Sequence, residues 1–272
     1  MAGKKVVATT TKKTGSTALV KWDEKFSKYA KETKDQVKNI GTGGIGVKFG
    51  RGSITIGDAP VKGGKLECVI VGSCALNAWY ATDYDPNDRQ PPDCYAFALI
   101  SDDPEMAPHQ AVVNKQAELC ATCEKNQFGT AKVGRGKACG NNIRLGLFTS
   151  KDVEDASNIN TAELATAKVS PTNLTHYKKY TDLLEEEYSR PPWAVVTEIS
   201  SYDDPKTQIR LEFKMVSLIE DDDVLLALEK RFLKVQDTLQ KPFAAPADRS
   251  AAKKPAAGGN KKFAAKKQSA RR

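Results

Sequence analysis

Histidine is nearly absent from this sequence: His109 and His176 are the only two in 272 residues. That leaves few members for a histidine-based acid–base relay or a histidine-rich metal centre. The signature loops of common enzymes are missing too, with no G-x-x-x-x-G-K-S/T, no H-E-x-x-H and no G-x-S-x-G in the chain. No apolar run approaches the ~20 residues that cross a bilayer, and the first residues lack the apolar core of a signal peptide. The expectation is a protein of the cell interior without membrane association. In that setting six cysteines point to thiols or metal ligands rather than disulfides.

A general positive charge is missing as well. The formal net charge is +8, but residues 241–272 hold ten Lys or Arg against the single Asp248, a local +9. The first 240 residues therefore sum to −1, and setting aside Lys4, Lys5, Lys12 and Lys13 leaves a body of −5. Such a body does not attract polyanions everywhere; nucleic acid would have to bind at a local patch. The hydrophobic share of 40% and charged share of 28% are those of a globular protein.

Residues 1–20, rich in Lys, Thr and Gly, read as a flexible basic arm. Trp22, Phe26, Tyr29, Thr33 and Val37 then recur at helical spacing and predict an amphipathic helix. In GTGGIGVKFGRG, residues 41–52, Gly41, Gly43 and Gly46 satisfy G-x-G-x-x-G. The dinucleotide fingerprint needs a strand before it and a helix after it, and the order here is the reverse. The stretch reads instead as a glycine-rich loop entering a strand at Ser53–Ile56. Residues 65–73 form a β-rich run that continues, bent, through 75–81, with Cys68 and Cys74 on one face of a straight strand as core thiols. Trp79, Tyr80 and Tyr84 lead into the turn YDPNDRQPPD.

Strands are expected at 94–100, 143–149 and 162–169, so the cysteine-rich stretch reads as an insertion between two strands. Ser170-Pro171 opens a helix with Leu174, Tyr177, Leu184 and Tyr188 on its apolar face, stopped by Pro191-Pro192. Residues 193–200 and 208–217 predict a hairpin across Asp203-Asp204-Pro205. A last helix follows Asp221, Asp222 and Asp223 and buries Leu225, Leu228, Phe232, Val235 and Leu239. Residues 241–272 read as a disordered basic tail. The fold class is α+β and strand-dominated: one domain over 21–240, an oligonucleotide-binding (OB)-like barrel with an insertion at 94–142 and flanking helices.

Chemistry concentrates in CATCEKNQFGTAKVGRGKACGNNIR, residues 120–144. The C-x2-C pair Cys120/Cys123 and Cys139, with fifteen residues between Cys123 and Cys139, suit a tetrahedral zinc ion, because two residues of slack turn both sulfurs toward one point. Three cysteines in a polar, Gly- and Lys-rich segment make poor core material. The fourth ligand is Cys94 or His109; Cys94 is preferred because four-thiolate sites are common in structural zinc. Lys132, Arg135, Lys137 and Arg144 supply charge, and Phe128 a ring for stacking on bases. Acidic groups such as Asp102-Asp103, Asp203-Asp204 and Asp221 to Asp223 could serve a metal-dependent nuclease, but they fall in turns and at a helix start, where Asp is expected anyway.

The segment resembles a family of tailed-bacteriophage proteins, through C-x2-C, N-x-F/W-G-S/T-A, G-R/K-G-K-A-C and a basic β-forming run. PPDCYAF, MAPH and SPTNLTHYKKY extend the likeness, over roughly residues 22–220. These proteins are similar in plan to phage single-stranded DNA-binding proteins, an OB barrel with a zinc element inserted between strands. The resemblance implies one structural Zn2+ on Cys120, Cys123, Cys139 and Cys94, and a non-enzymatic, sequence-nonspecific role in phage replication or recombination. It implies single-stranded DNA and phage replication or recombination proteins as partners, in the cytoplasm of a bacterial host. The chain departs from replication-type binders in ending on AAKKQSARR rather than an acidic tail. Lys48, Arg51, Lys132, Arg135, Lys137 and Arg144 are the expected cations of the groove, and Trp79, Tyr80 and Phe128 its stacking rings. The competing expectation is a zinc-ribbon regulatory or protein-interaction module in transcription or recombination, with a nuclease third.

Overall fold

The computed structural model describes residues 45–83 and 90–243. The basic arm, the helix expected at 22–37, residues 41–44, Tyr84 with the rest of the 84–89 stretch, and the tail beyond 243 lie outside the described residues. What is described is a mixed α+β fold in which strands dominate. Among these residues no helix is long and apolar enough to cross a membrane.

The organising element is β4 (Lys65–Trp79), fifteen residues rich in Val, Ile, Ala and Cys, types that fit a pleated surface packed on both sides. One edge pairs antiparallel with β6 (Gly140–Thr149). The other edge is shared: β8 (Val195–Asp204) pairs with Lys65 to Cys68, and β5 (Cys94–Ala98) with Ala75 to Trp79. The ladder to β6 slips between Ile70 and Gly72. This bulge answers the expectation about Cys68 and Cys74. One extra residue inverts the alternation of side chains, so Cys68 packs with Leu66 and Ile70 while Cys74 packs with Val69 and Val71 in a different cluster. The two thiols lie on opposite faces.

Outward from β6 the order continues through β7 (Ala165–Val169), β1 (Ile45–Gly50), β2 (Ser53–Ile56) and β3 (Ala59–Pro60); beyond β8 lies β9 (Gln208–Leu218). Part of the stretch read as a glycine loop is therefore a strand, β1, paired parallel to β7 and antiparallel to β2. The sheet is not closed. β3 and β9 end the path, and no ladder joins them, which departs from the expected barrel. Strands just inside its two ends nevertheless approach: Ser201 Oγ of β8 donates to the Gly50 carbonyl of β1 at 2.5 Å, and Arg51, in the β1–β2 turn, pairs with Asp203 of β8 at 3.7 Å.

Between those ends sits helix α2 (Leu174–Tyr188), entered by a 3-10 turn at Pro171–Asn173. Its Tyr177, Tyr180 and Leu184 pack into one core with residues of β1, β2, β4, β6, β7, β8 and β9. The Tyr180 hydroxyl meets Thr197 Oγ1 at 2.6 Å, which makes the burial of this polar tip affordable. The opposite face of β4 and β6 is covered by α1 (Ala156–Thr161) and α3 (Asp222–Leu239). Asp221 caps α3 by accepting the Val224 N–H at 3.0 Å. Gly72 and Gly146 allow α3 to press close, since a Cβ at Gly72 would stand 2.5 Å from Val235 Cγ1.

The chain does not leave the body at residue 241. Phe243 packs edge-on against Tyr95 at 4.9 Å and stacks with Phe97 at 6.3 Å.

Candidate metal centre and nucleic-acid interface

Strand pairing sets two of the cysteines at one end of the sheet. Cys94 opens β5 opposite Trp79, and Cys139 immediately precedes Gly140, which pairs with Ala78 on the other edge of β4. The long crossover between β5 and β6 returns the other two. Cys120 is anchored by its N–H to the Met106 carbonyl at 2.7 Å, and a tight turn follows with the Cys123 N–H on the Cys120 carbonyl at 3.3 Å. The Cys139 N–H bonds the Lys125 carbonyl at 2.8 Å, which lays the far arm of the loop against the C-x2-C turn. Side chains lock this turn: Asn126 Nδ2 donates to the Cys120 carbonyl at 2.8 Å and Gln127 Nε2 to the Ala121 and Cys123 carbonyls. At the tip, Gly129 and Gly134 take φ of 88° and 79°, a region where a Cβ would be strained.

Cys94, Cys120, Cys123 and Cys139 line one cavity of about 20 Å³, room for a single water-sized body. Three are buried and Cys120 is half-buried. Burial pushes the Cys139 thiol up to about 12, reinforced by the neighbouring Cys120, Cys123 and Cys94 and opposed by Lys137. Burial also raises Cys94, where a bond from the Gln116 backbone opposes it and Cys123 adds to it. Cys120 is raised by burial, against a bond from the Asn77 side chain, and by Cys94 and Cys123. The thiols thus feel one another; deprotonated together they would repel, and a divalent cation among them would reverse that cost. As they stand, no group of three or more His, Cys, Asp or Glu side chains among the described residues is arranged to hold a metal ion.

His109 is elsewhere. Its ring stacks on Tyr95 at 5.4 Å, its Nδ1 accepts the Ala111 N–H at 3.1 Å, and it does not line the cysteine cavity. Of the two candidates for a fourth ligand, Cys94 is the one placed with the other three.

Arg144 aside, the expected binding residues fall into three groups. Phe128, Lys132, Arg135 and Lys137 share the insertion: Phe128 is 80% exposed, with Lys137 Nζ 5.0 Å from its ring centre, and Lys132 pairs with Asp83 at 2.7 Å. Trp79 lies at the cysteine cavity, with Lys125 Nζ 6.0 Å from its ring, and Lys168 Nζ stands 5.9 Å from the partly exposed Tyr80. Lys48 and Arg51 belong to the β1–β2 hairpin, where they pair with Asp58 and Asp203. Arg144 is taken up by the fold. Its Nη1 donates to the Leu239 and Lys241 carbonyls at 2.7 and 3.2 Å, and its guanidinium lies 5.1 and 4.9 Å from the Phe97 and Phe243 rings. It closes the C-terminus of α3, where unpaired carbonyls attract a cation.

The acidic turns have local tasks of the same kind. Asp204 accepts the Lys206 and Thr207 N–H groups, bonds that hold its carboxyl below the usual range, and Asp221 is a helix cap. Sequence reasoning missed Lys168 and a chain of amides, Asn77, Asn126 and Asn141. Asn77 alone carried a signal, as a polar residue inside the apolar run ALNAW.

No family model matches the chain, and no match was found among curated proteins or solved structures.

Proposed function

We propose that this protein binds single-stranded nucleic acid, DNA in the first instance, without sequence specificity or catalysis, and that a zinc ion on Cys94, Cys120, Cys123 and Cys139 staples the binding insertion. The observation that carries the reading is the convergence of four cysteines, 45 positions apart at the extremes, on one small cavity at the end of β4. The donor chemistry suits the metal, four thiols lining a space for one ion with three of them buried, and ligation would require their side chains to turn toward one another from their present arrangement. Bound zinc would supply folding free energy on the order of 10 kcal/mol to the insertion. The protein's own residues do the rest. Phe128 offers a face for a base, and Lys137, Arg135 and Lys132 neutralise the backbone beside it. The curled sheet with its central plug is the platform in this reading, an OB-like element whose barrel is left open. The phage resemblance points the same way, to a protein of phage replication or recombination.

The test is a titration of labelled single- and double-stranded oligonucleotides at several salt concentrations, for the full chain and for a chain ending at Phe243. The reading expects a single-strand preference in both forms and a shallower salt dependence in the shorter one. Equal affinity for single and double strands in both forms would refute it.

A second reading, a zinc-stapled protein-interaction module, is favoured by one observation. Val133, 89% exposed, accompanies Phe128 at the tip, and an aliphatic side chain offers no stacking face. It predicts bound metal with no strand preference.

A further inference from the structure

A second cavity shares a wall with the cysteine site. It has about 270 Å³ and is lined in common with the first by Asn77, Cys120 and Asn126. That lies just under the range of roughly 300–1,000 Å³ that takes drug-sized ligands, so it has room for one nucleoside-sized body and not for a duplex. Its lining carries five side-chain amides, Asn77, Asn126, Gln127, Asn141 and Asn142.

Hydrogen bonds within the wall fix what those amides present. Asn141 Nδ2 donates to Asn77 Oδ1 at 2.5 Å and Asn126 Oδ1 at 2.9 Å, which leaves Asn141 Oδ1 as an acceptor. Gln127 Nε2 is spent on the Ala121 and Cys123 carbonyls, which leaves Gln127 Oε1 likewise. Asn77, 8% exposed, gives its Nδ2 to Met106 Sδ at 3.2 Å and also bonds Cys120, so its donor is already engaged. At the rim stand Ser101 and Asp102, the latter exposed and held at φ 60°. Asp103 Oδ1 already accepts the Glu105 N–H. Acceptors and carboxylates repel a phosphate from this interior. The cation lies to one side: Lys137, 3.4 Å from Asn126 Oδ1, borders both this cavity and the Phe128 ring.

Acceptor-rich walls, with Lys137 as the donor at their border, match the edge of a base carrying an exocyclic amino group. Amides pair with adenine through its amino and ring nitrogens, and carboxylates accept from the cytosine amino group; thymine has no such donor. We infer that the cavity bounded by Asn77, Asn141, Gln127 and Asp102 is a subsite for one unstacked, amino-bearing nucleobase, with its phosphate held outside by Lys137. This rests on the proposed strand binding and adds a base preference to it. Unstacking one base costs least in a single strand.

The experiment measures binding of deoxycytidylate, deoxyadenylate and thymidylate to the full chain by saturation-transfer NMR, alongside affinity for an oligothymidylate of about 16 nucleotides with and without one central cytosine. Two variants accompany the native chain. Ala121→Trp fills the cavity from an exposed rim position, and Asp102→Asn removes a rim charge. The expected result is that deoxycytidylate and deoxyadenylate bind in preference to thymidylate, and that Ala121→Trp weakens them about tenfold while the plain oligothymidylate still binds. Asp102→Asn narrows the preference without lowering the melting temperature. Equal binding of the three monophosphates, or monophosphate binding unchanged in Ala121→Trp, overturns the inference and leaves strand binding standing. Loss of all strand binding with a retained, Ala121→Trp-sensitive preference supports the subsite and overturns the strand reading instead.

Discussion

Replacing Cys94 by Ala separates a metal ligand from a core thiol. Cys94 is 9% exposed and sits at the wall of a cavity of about 20 Å³. If it only packs there, truncation removes one sulfur from a site with slack and costs about 1 kcal/mol. Cys68, 0% exposed within the core cluster that α2 covers, provides the calibration, and Cys68→Ala should then cost at least as much. If Cys94 holds zinc, the order inverts. The native chain gains about 4 kcal/mol when free metal stands a thousandfold above its dissociation constant, and a site with three ligands loses most of that. Urea denaturation of both variants, with and without a chelator, together with metal content by elemental analysis, reads the difference. We expect one zinc per native chain and per Cys68→Ala chain, little in Cys94→Ala, and chelator sensitivity only where zinc is present. A Cys94→Ala variant that costs no more than Cys68→Ala, in a protein indifferent to chelators, would refute the reasoning.

Three further outcomes follow from the geometry. Phe128→Ala should leave stability within ~0.5 kcal/mol and reduce affinity for single strands about tenfold, measured by fluorescence anisotropy. Arg144→Ala strips two carbonyl bonds and two ring contacts from the end of α3, so it should cost about 2–3 kcal/mol without altering the salt slope of oligonucleotide binding. Alkaline pH should unfold the protein through its buried thiols and phenols. Burial, only partly offset by the Arg144 guanidinium, lifts Cys74 from 9.0 to about 11, and burial lifts Tyr177 from 10.0 to about 12. Because the unfolded chain ionises first, these groups' contribution is complete below pH 9, and each removes about 1.4 kcal/mol per pH unit between its unfolded and its folded value. Cys74→Ala should flatten the fall between pH 9 and 11 in denaturant titrations.

Where local chemistry decided the structure, the sequence was readable. The hairpin of β8 and β9 follows from its turn residues, α3 from its acidic start, and the placement of the insertion from the strands on either side. Where tertiary contacts decided, it was not. The β1 strand hides in a run of glycines because its pairing with β7, more than a hundred residues away, supplies what local propensity lacks. The bulge at β4 leaves no mark in the run CVIVGSC, yet it sends Cys68 and Cys74 to opposite faces. Arg144 looks like any cation after a cysteine motif; only the arrival of α3 and Phe243 gives it carbonyls and rings. Cys94 could be set beside its partners only once β5 and β6 were known to flank the same end of β4.

The most direct test of the central claim is binding of single- and double-stranded oligonucleotides by the chain ending at Phe243, before and after a thiol reagent releases its metal. The account predicts zinc release on thiol modification, and with it loss of a preference for single strands. Undiminished single-strand binding after complete modification of Cys94, Cys120, Cys123 and Cys139 would contradict it.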